Sequence, residues 1–342
     1  MKEQNRILEE DFHRIGEAIP EKGSSILVTG SHGFIGAYLI EFFTYMNRIY
    51  DFGYKIFGID NFIAGEKNRL AHLEGDVSLY ARDVSAFASW VNFPAVDYVF
   101  HCASIAAPKF YRKHPLETIA INVRGTENVL KWAQFGKPKA ILHMSSSEIY
   151  GEPQEVPTPE TCSGQVHPLH ERAEYDESKR MSETLCKIYQ QRFDVPVKIA
   201  RPFNVYGPGQ RLDDGRVIPQ LMTALLSRTP FTIYGNGSST RSYCYISDAV
   251  VQLFAVLLKG QPGEAYNVGN GDDETSLIRL AQVANRVFDG APAIRFMEAT
   301  EELKDAPTRR RPDVTKIRLL THGPMIDLAE GLRRTYDSYK RA

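Results

Sequence analysis

Tyr175 and Lys179 stand one helical turn apart, and Ser146 lies upstream of them at the end of an apolar strand. A phenol with an ordinary pKa of about 10 is a poor base at neutral pH, and a nearby ammonium favours its phenolate. A serine hydroxyl within reach of the same substrate alcohol can orient it and stabilise the developing alkoxide. Residues four apart on any helix share a face, so the Tyr-x-x-x-Lys spacing alone means little. Its weight comes from the run Gly30-Ser31-His32-Gly33-Phe34-Ile35-Gly36 near the start of the chain. Together they predict oxidation of a secondary alcohol beside a nicotinamide.

The glycine run directly follows the apolar stretch Ile26-Leu27-Val28 and opens a helical pattern, the context a dinucleotide turn requires. Gly30 permits the tight turn, Gly33 lets backbone amides approach a pyrophosphate, and Gly36 brings helix against strand. The next apolar stretch, from Lys55, ends in Asp60, the expected partner of the adenosine ribose hydroxyls. A carboxylate there repels a 2′-phosphate, which favours NAD over NADP. Asp83 and Val84 are candidates for the adenine edge. Ser145-Ser146-Ser147-Glu148-Ile149-Tyr150-Gly151 closes the strand Ala140–Met144. In open parallel sheets ligands bind at the carboxyl ends of strands, so this polar cluster points into the expected crevice.

The elements that must position these residues alternate along the chain. Strand-like runs at Ser25–Thr29, Lys55–Ile59, Ser78–Ala81, Tyr98–His101 and Ala140–Met144 are separated by helical stretches at Phe34 to Asn47 and Thr118–Trp132. This alternation predicts an α/β fold, a Rossmann-type doubly wound parallel sheet. Beyond Arg201 the pattern breaks into short strands, turns and two later helices, at Leu277–Phe288 and Asp327–Tyr339, a smaller C-terminal substrate-binding lobe. The expected division is an N-terminal helical arm over 1–22, an NAD-binding unit over 23–203 with 238–270 returning to it, and a substrate lobe from 204–237 and 271–342. The arm's weak helical pattern spans Asn5–Ala18.

A net charge of −1 and the lack of a basic block argue against a nucleic-acid groove. No stretch has the roughly 18 apolar residues of a membrane span, and the first twenty residues lack a signal-peptide core. Cys102, Cys162, Cys186 and Cys244 are dispersed, which predicts free thiols, no metal site and a cytoplasmic protein.

With these residues in view, the sequence resembles the extended short-chain dehydrogenase/reductase family. The resemblance rests on Gly-x-x-Gly-Phe-Ile-Gly, Asp60-Asn61-Phe62, His101-Cys-Ala103-Ser104, Asn122-Val-x-Gly-Thr-x-Asn128 and Tyr175-x-x-x-Lys179. It runs from about Ser24 to Val314, and within the family it points to the nucleotide-sugar epimerases, dehydratases and decarboxylases. It implies NAD kept bound and recycled within one turnover, with Phe34, Ile35, Asn61 and Ala103 joining the cofactor residues above.

Three activities differ at a few positions. By resemblance, 4,6-dehydratases need an acidic residue where Ser147 stands, and 4-epimerases have a small residue where Glu148 stands. UDP-glucuronate decarboxylases share the Ser-Ser-Glu stretch and the flanks Ala103 to Pro108, Tyr175-Asp-Glu-x-Lys-Arg180, Asp214-Gly-Arg-Val217 and Arg309-Arg-Arg-Pro-Asp313. The decarboxylase is preferred, with the epimerase or dehydratase as the alternative and a non-catalytic dinucleotide-binding protein as a remote one. The resemblance assigns catalysis to Ser146, Ser147, Glu148, Tyr175, Lys179 and Arg310, with Arg311 close behind. It assigns the UDP-sugar to Pro108, Asn204, Arg216, Val217, Tyr234 and Arg241. It also implies a homodimer through a four-helix bundle built on the helices near Thr118–Trp132 and Tyr175–Phe193, with Met181, Leu185 and Tyr189 as contact candidates. The tail after Lys316 departs from the family's usual Leu-Gly-Trp segment.

Overall fold

The computed structural model describes residues 2–15, 19–290, 292–298 and 307–340, with side chains from residue 8 onward. Residues 1 and 16–18 of the expected arm, and 291, 299–306, 341 and 342 of the expected lobe, lie outside the described residues.

Seven strands form one parallel sheet: β1 (Ser25–Thr29), β2 (Lys55–Asp60), β3 (Ser78–Ala81), β4 (Tyr98–His101), β5 (Ala140–Met144), β6 (Val197–Pro202) and β11 (Ala265–Val268), in the order β11-β6-β5-β4-β1-β2-β3. All their pairings are parallel. Strands β4 and β5 are buried at every residue, as expected of a sheet covered by helices on both faces. One face packs Ile26, Val28, Phe100 and Leu142 against α2 (Phe34–Tyr50) and α8 (Ile246–Lys259). The other packs Leu27, Val99, Ile141 and Val197 against α5 (Thr126–Gly136) and α6 (Ala173–Phe193).

The strand order reverses between β1 and β4, which places the ligand crevice outside their carboxyl ends. Gly30 ends β1 there at φ +67°, and a Cβ on it would lie 2.8 Å from the Ala103 backbone that follows β4. The helix expected at Thr118–Trp132 lies inside one unbroken helical run over 115–136 whose middle changes register. A short helix, α4 (Pro115–Ile119), passes into a π-helical turn, Ala120–Gly125, before α5 begins.

The chain after β6 supplies short strands around the crevice. β7 (Val205–Tyr206) pairs parallel with β10 (Cys244–Tyr245). β9 (Thr240–Arg241) pairs antiparallel with β12 (Thr275–Ser276) and parallel with β14 (Arg309–Arg310), so Arg310 faces Arg241 in register. β8 (Phe231–Tyr234) pairs separately with β13 (Ile294–Met297). The N-terminal helix α1 (Lys2–Ile15) docks through Phe12, whose ring meets Tyr38 and Phe42 of α2 edge-on. Its buried Asp11 accepts hydrogen bonds from Tyr245 Oη and Arg334 Nη1, both at 2.8 Å. The four cysteines are free, and among the described residues no helix is long and apolar enough to cross a membrane.

Candidate active site

At the sheet's carboxyl edge the backbone builds a cradle. Gly33 donates to Gly30 O at 3.0 Å and heads α2 with no side-chain cap, so the amides of the first turn at Phe34 and Ile35 remain for an anion. A Cβ on Gly36 would sit 2.1 Å from Gly30 O, so only glycine allows this approach of helix to turn. Asp60 ends β2 with one oxygen accepting from His32 N at 2.9 Å and the other from Phe62 N at 2.8 Å. Each oxygen keeps a lone pair for a ribose hydroxyl. The donor set therefore fits a dinucleotide. Neighbouring Asn61 turns its side chain to Ile63 N at 3.2 Å. Asp83 caps its own turn through Ser85 N at 2.8 Å and borders an open cavity of about 220 Å³ with Leu116 and Arg124. Val84 is a packing residue, buried with its carbonyl accepting from Trp90 and Asn128.

Beyond β5 the chain turns sharply. Ser145 N donates to Ala200 O at 2.8 Å, and Ser146 caps a 3-10 turn, Ser147–Tyr150, by accepting from Glu148 N. The turn is anchored from behind by a buried network. Arg201 forks onto Glu183 at 2.9 and 2.7 Å, Ser145 Oγ donates to the same carboxylate, and Arg201 Nη1 donates to Tyr150 Oη at 2.7 Å. Glu183 lies one turn beyond Lys179 on α6, so this network ties the serine turn to the helix of Tyr175.

Tyr175 is 4% exposed, with its ring stacked on Tyr111 at 5.2 Å between centroids. Burial pushes its phenol well above the ordinary value, and a hydrogen bond with Ser146 works against that. Lys179 is also buried, and burial draws its ammonium down to about 8. Its Nζ donates to Met144 O at 2.7 Å and lies 5.9 Å from the Tyr175 ring centroid. Burial of the ring works against the expected lowering of the phenol, and one donor of Lys179 goes to the carbonyl that ends β5.

Glu148 is clasped from two sides. Arg310 forks onto it, with Nη2 donating at 2.8 Å, and Arg172 Nη2 donates to the same carboxylate. Burial would raise the carboxyl, but Arg310 and Arg172, with Arg241 behind them, hold it down to about 2. Arg241 is itself drawn down to about 10 by burial and by Arg310. Three guanidiniums thus converge on one carboxylate, beside Ser146 and Tyr175. Arg309 leaves the cluster for Glu274, and Arg311 donates to Gly271 O at 2.8 Å.

The other expected substrate residues are dispersed around this centre. Pro108 begins α3 (Pro108–Lys113), and Asn204, at φ 40°, donates to Ser242 O at 3.0 Å. Arg216 is half exposed, forked onto buried Asp214 ahead of Val217, the first residue of α7 (Val217–Ser227). Tyr234 ends β8 in the separate two-stranded pair. Arg172, Asp176 and Tyr111 escaped the sequence reading. Arg172 and Asp176 are four apart across Tyr175, which was the available signal, but charges at a helix start usually face water.

Residues 26–269 match the model of the NAD dependent epimerase/dehydratase family. The chain belongs to that family. Within it, UDP-glucuronic acid decarboxylase 1 of Arabidopsis thaliana is 37% identical over 330 residues, covering 96% of this chain and 72% of that protein. The similarly named protein of Xenopus tropicalis is 34% identical over 319 residues, covering 92% and 72%. Among solved structures, a UDP-glucuronic acid 4-epimerase of Bacillus cereus, in complex with UDP-glucuronic acid and NAD, superposes with a TM-score of 0.77 at 26% identity, covering 93% of this chain and 99% of that one. NAD is the cofactor that family membership and the glycine cradle agree on.

Proposed function

We propose that this epimerase/dehydratase family enzyme removes the carboxylate of UDP-glucuronate as carbon dioxide, by transient oxidation at C4, to give UDP-xylose. The observation that carries the reading is Glu148 held ionised between Arg172 and Arg310 beside the Ser146–Tyr175 pair. An arginine-rich pocket suits an anionic sugar, and a carboxylate fixed there can orient the C6 end. The names of the relatives at 34–37% identity support the same substrate.

Bound NAD would supply the acceptor for the C4 hydride, the same hydride back to C4 after carbon dioxide has left, and a positive ring charge that favours the tyrosine phenolate. Tyr175 takes the proton of the 4-hydroxyl while Ser146 holds the oxygen. The ketone then lies beta to the C6 carboxylate, and the pair released on loss of carbon dioxide is stabilised as an enolate by Ser146 and Tyr175. Ser147 and Glu148 set the sugar's C6 end against Arg310. Tyr175 returns its proton to O4 at the close. Segments 23–203 and 238–270 hold the cofactor in this reading, and 204–237 with 271–342 form the sugar-nucleotide lobe. There, Asn204 and Arg241 serve the pyrophosphate, while Pro108, Arg216, Val217 and Tyr234 line the remainder. Two copies associate through α5 and α6, as exposed Met181, Ile188 and Phe193 support. Tyr189, expected at that contact, is 8% exposed, and Leu185 packs on the protomer's own core; both face inward because they close α6 onto the sheet.

The second reading, a 4-epimerase, draws on the Bacillus cereus neighbour. The test is to incubate the purified protein with NAD and UDP-glucuronate and weigh the product. Loss of carbon dioxide supports the proposal, an unchanged mass indicates epimerisation, and loss of water indicates dehydration.

A further inference from the structure

Decarboxylation calls for one proton that the residues above do not provide. When the C5–C6 bond breaks, its electron pair enters the enolate, and C5 must then gain a proton. The proton on Tyr175 returns to O4. Glu148 is held ionised by two guanidiniums, and the Lys179 ammonium is hydrogen-bonded to Met144 O beside the Tyr175 ring. Another proton store is required.

Three buried polar atoms next to the Glu148 clasp make no hydrogen bond among the described residues: Tyr111 Oη, Arg172 Nε and Asp176 Oδ1. Tyr111 is 1% exposed and Asp176 6%. Asp176 follows Tyr175 directly, and its Oδ1 lies 3.8 Å from Arg172 Nη2, which itself donates to Glu148. Leaving a buried polar group unpaired costs about 1–3 kcal/mol, so these three, one of them on the Arg172 guanidinium itself, mark a place built to hold something polar and small. At 3.8 Å Asp176 Oδ1 pairs with Arg172 by charge without a hydrogen bond, which leaves its lone pairs for a water.

We propose that Asp176 supplies the proton that C5 takes up after carbon dioxide leaves, passing it through a water held by Arg172 and Tyr111 to the Glu148 end of the site. In this step a C5–H bond forms with the enolate's electron pair, the water gives up that proton and takes the one from the Asp176 carboxyl, and solvent reprotonates the carboxylate. Nothing is oxidised or reduced. Asp176 does not touch the sugar, so it is a positioning residue for the proton. The chemistry of the site agrees. Burial, then the Glu148 charge, raise the Asp176 carboxyl to about 7 against the pull of Arg172 and Arg310. The groups facing it are Glu148 on the serine turn, Arg172, Glu174 and Tyr175 at the head of α6, Arg310 on β14, and Tyr111 on α3, with Arg112 near Glu174.

The inference rests on the decarboxylation proposed above, and a single-turnover experiment separates the two. The full chain, loaded with NAD, is mixed with UDP-glucuronate, and carbon dioxide and UDP-pentose are each followed in time. In the wild type, carbon dioxide release should not follow the titration of the Asp176 carboxyl, while UDP-pentose formation slows as pH rises through about 7. Asp176→Asn should release carbon dioxide nearly as fast, form UDP-pentose about 10²-fold more slowly and lose the pH dependence. Asp176→Glu should restore part of the pentose rate. Equal slowing of both products in Asp176→Asn overturns the inference, as does a wild-type pentose rate indifferent to pH. If Asp176→Asn does not fold, the wild-type pH profile decides alone. A wild type that releases no carbon dioxide removes the decarboxylation and this inference with it.

Discussion

Glu148 carries more of this site than its place in a serine-rich turn suggests. Two guanidiniums share its carboxylate in a setting where its own side chain is 17% exposed and theirs are 8% and 11%. Breaking such a buried pair by removing one partner costs about 3–5 kcal/mol, because the other charges stay behind. Glu148→Gln should therefore lower the melting temperature while sparing C4 oxidation more than carbon dioxide loss; equal loss of both steps would remove its assigned role. The sign with pH follows. A folded pKa of about 2 against an ordinary 4.5 gives stability that is present above about pH 4.5 and lost as pH falls through about 2. At this scale the sequence disclosed types and spacing but not pairings. Ser146, Tyr175, Lys179 and Glu148 could be picked out, whereas Arg172 could not, since nothing local says that a charge at a helix start turns inward. The direction of the Tyr175 shift was also hidden, because it depends on how completely the surrounding chain removes water from the ring.

Strands and helices set these residues with little freedom. The β1 to α2 turn works only because Gly36 lets the helix reach the Gly30 carbonyl. A Cβ 2.1 Å from backbone oxygen has no flexible neighbour to push aside, so Gly36→Ala should weaken NAD binding at least about tenfold by calorimetry, or about 1.4 kcal/mol. Unchanged affinity would separate this turn from the cofactor. The elements themselves were legible wherever periodicity was strong. Every strand of the main sheet up to β6 lies where its apolar run predicts. The π turn at Ala120–Gly125 within the helix was not, because a π turn keeps the same residue types and only shifts their register. Nor was the alignment of Arg310 with Arg241, which arises when two-residue strands from distant parts of the chain pair.

Across the whole molecule, the alternation of strands and helices indicated a doubly wound parallel sheet, and the observed strand order is of that kind. Association is a separate matter, for which surface chemistry gives the argument. Met181 and Ile188, seven apart on α6, expose 50% and 45% of their surface on the same side of the helix, and Leu116 and Ile119 on α4 are also exposed. Sedimentation should show a dimer, and Ile188→Glu combined with Met181→Glu should give a monomer; a wild-type monomer would contradict the proposed bundle.

The central claim places one phenol at a sugar's 4-hydroxyl and one arginine-bound carboxylate at its C6 end. The most direct measurement is a crystal structure with NAD and UDP-glucuronate bound to the Tyr175→Phe variant. The account predicts the C4 oxygen within hydrogen-bond distance of Ser146 Oγ and over the rim of the ring at position 175, with the C6 carboxylate against Arg310 and Glu148. A sugar bound with C4 turned from the nicotinamide, or with its carboxylate in solvent, would contradict it.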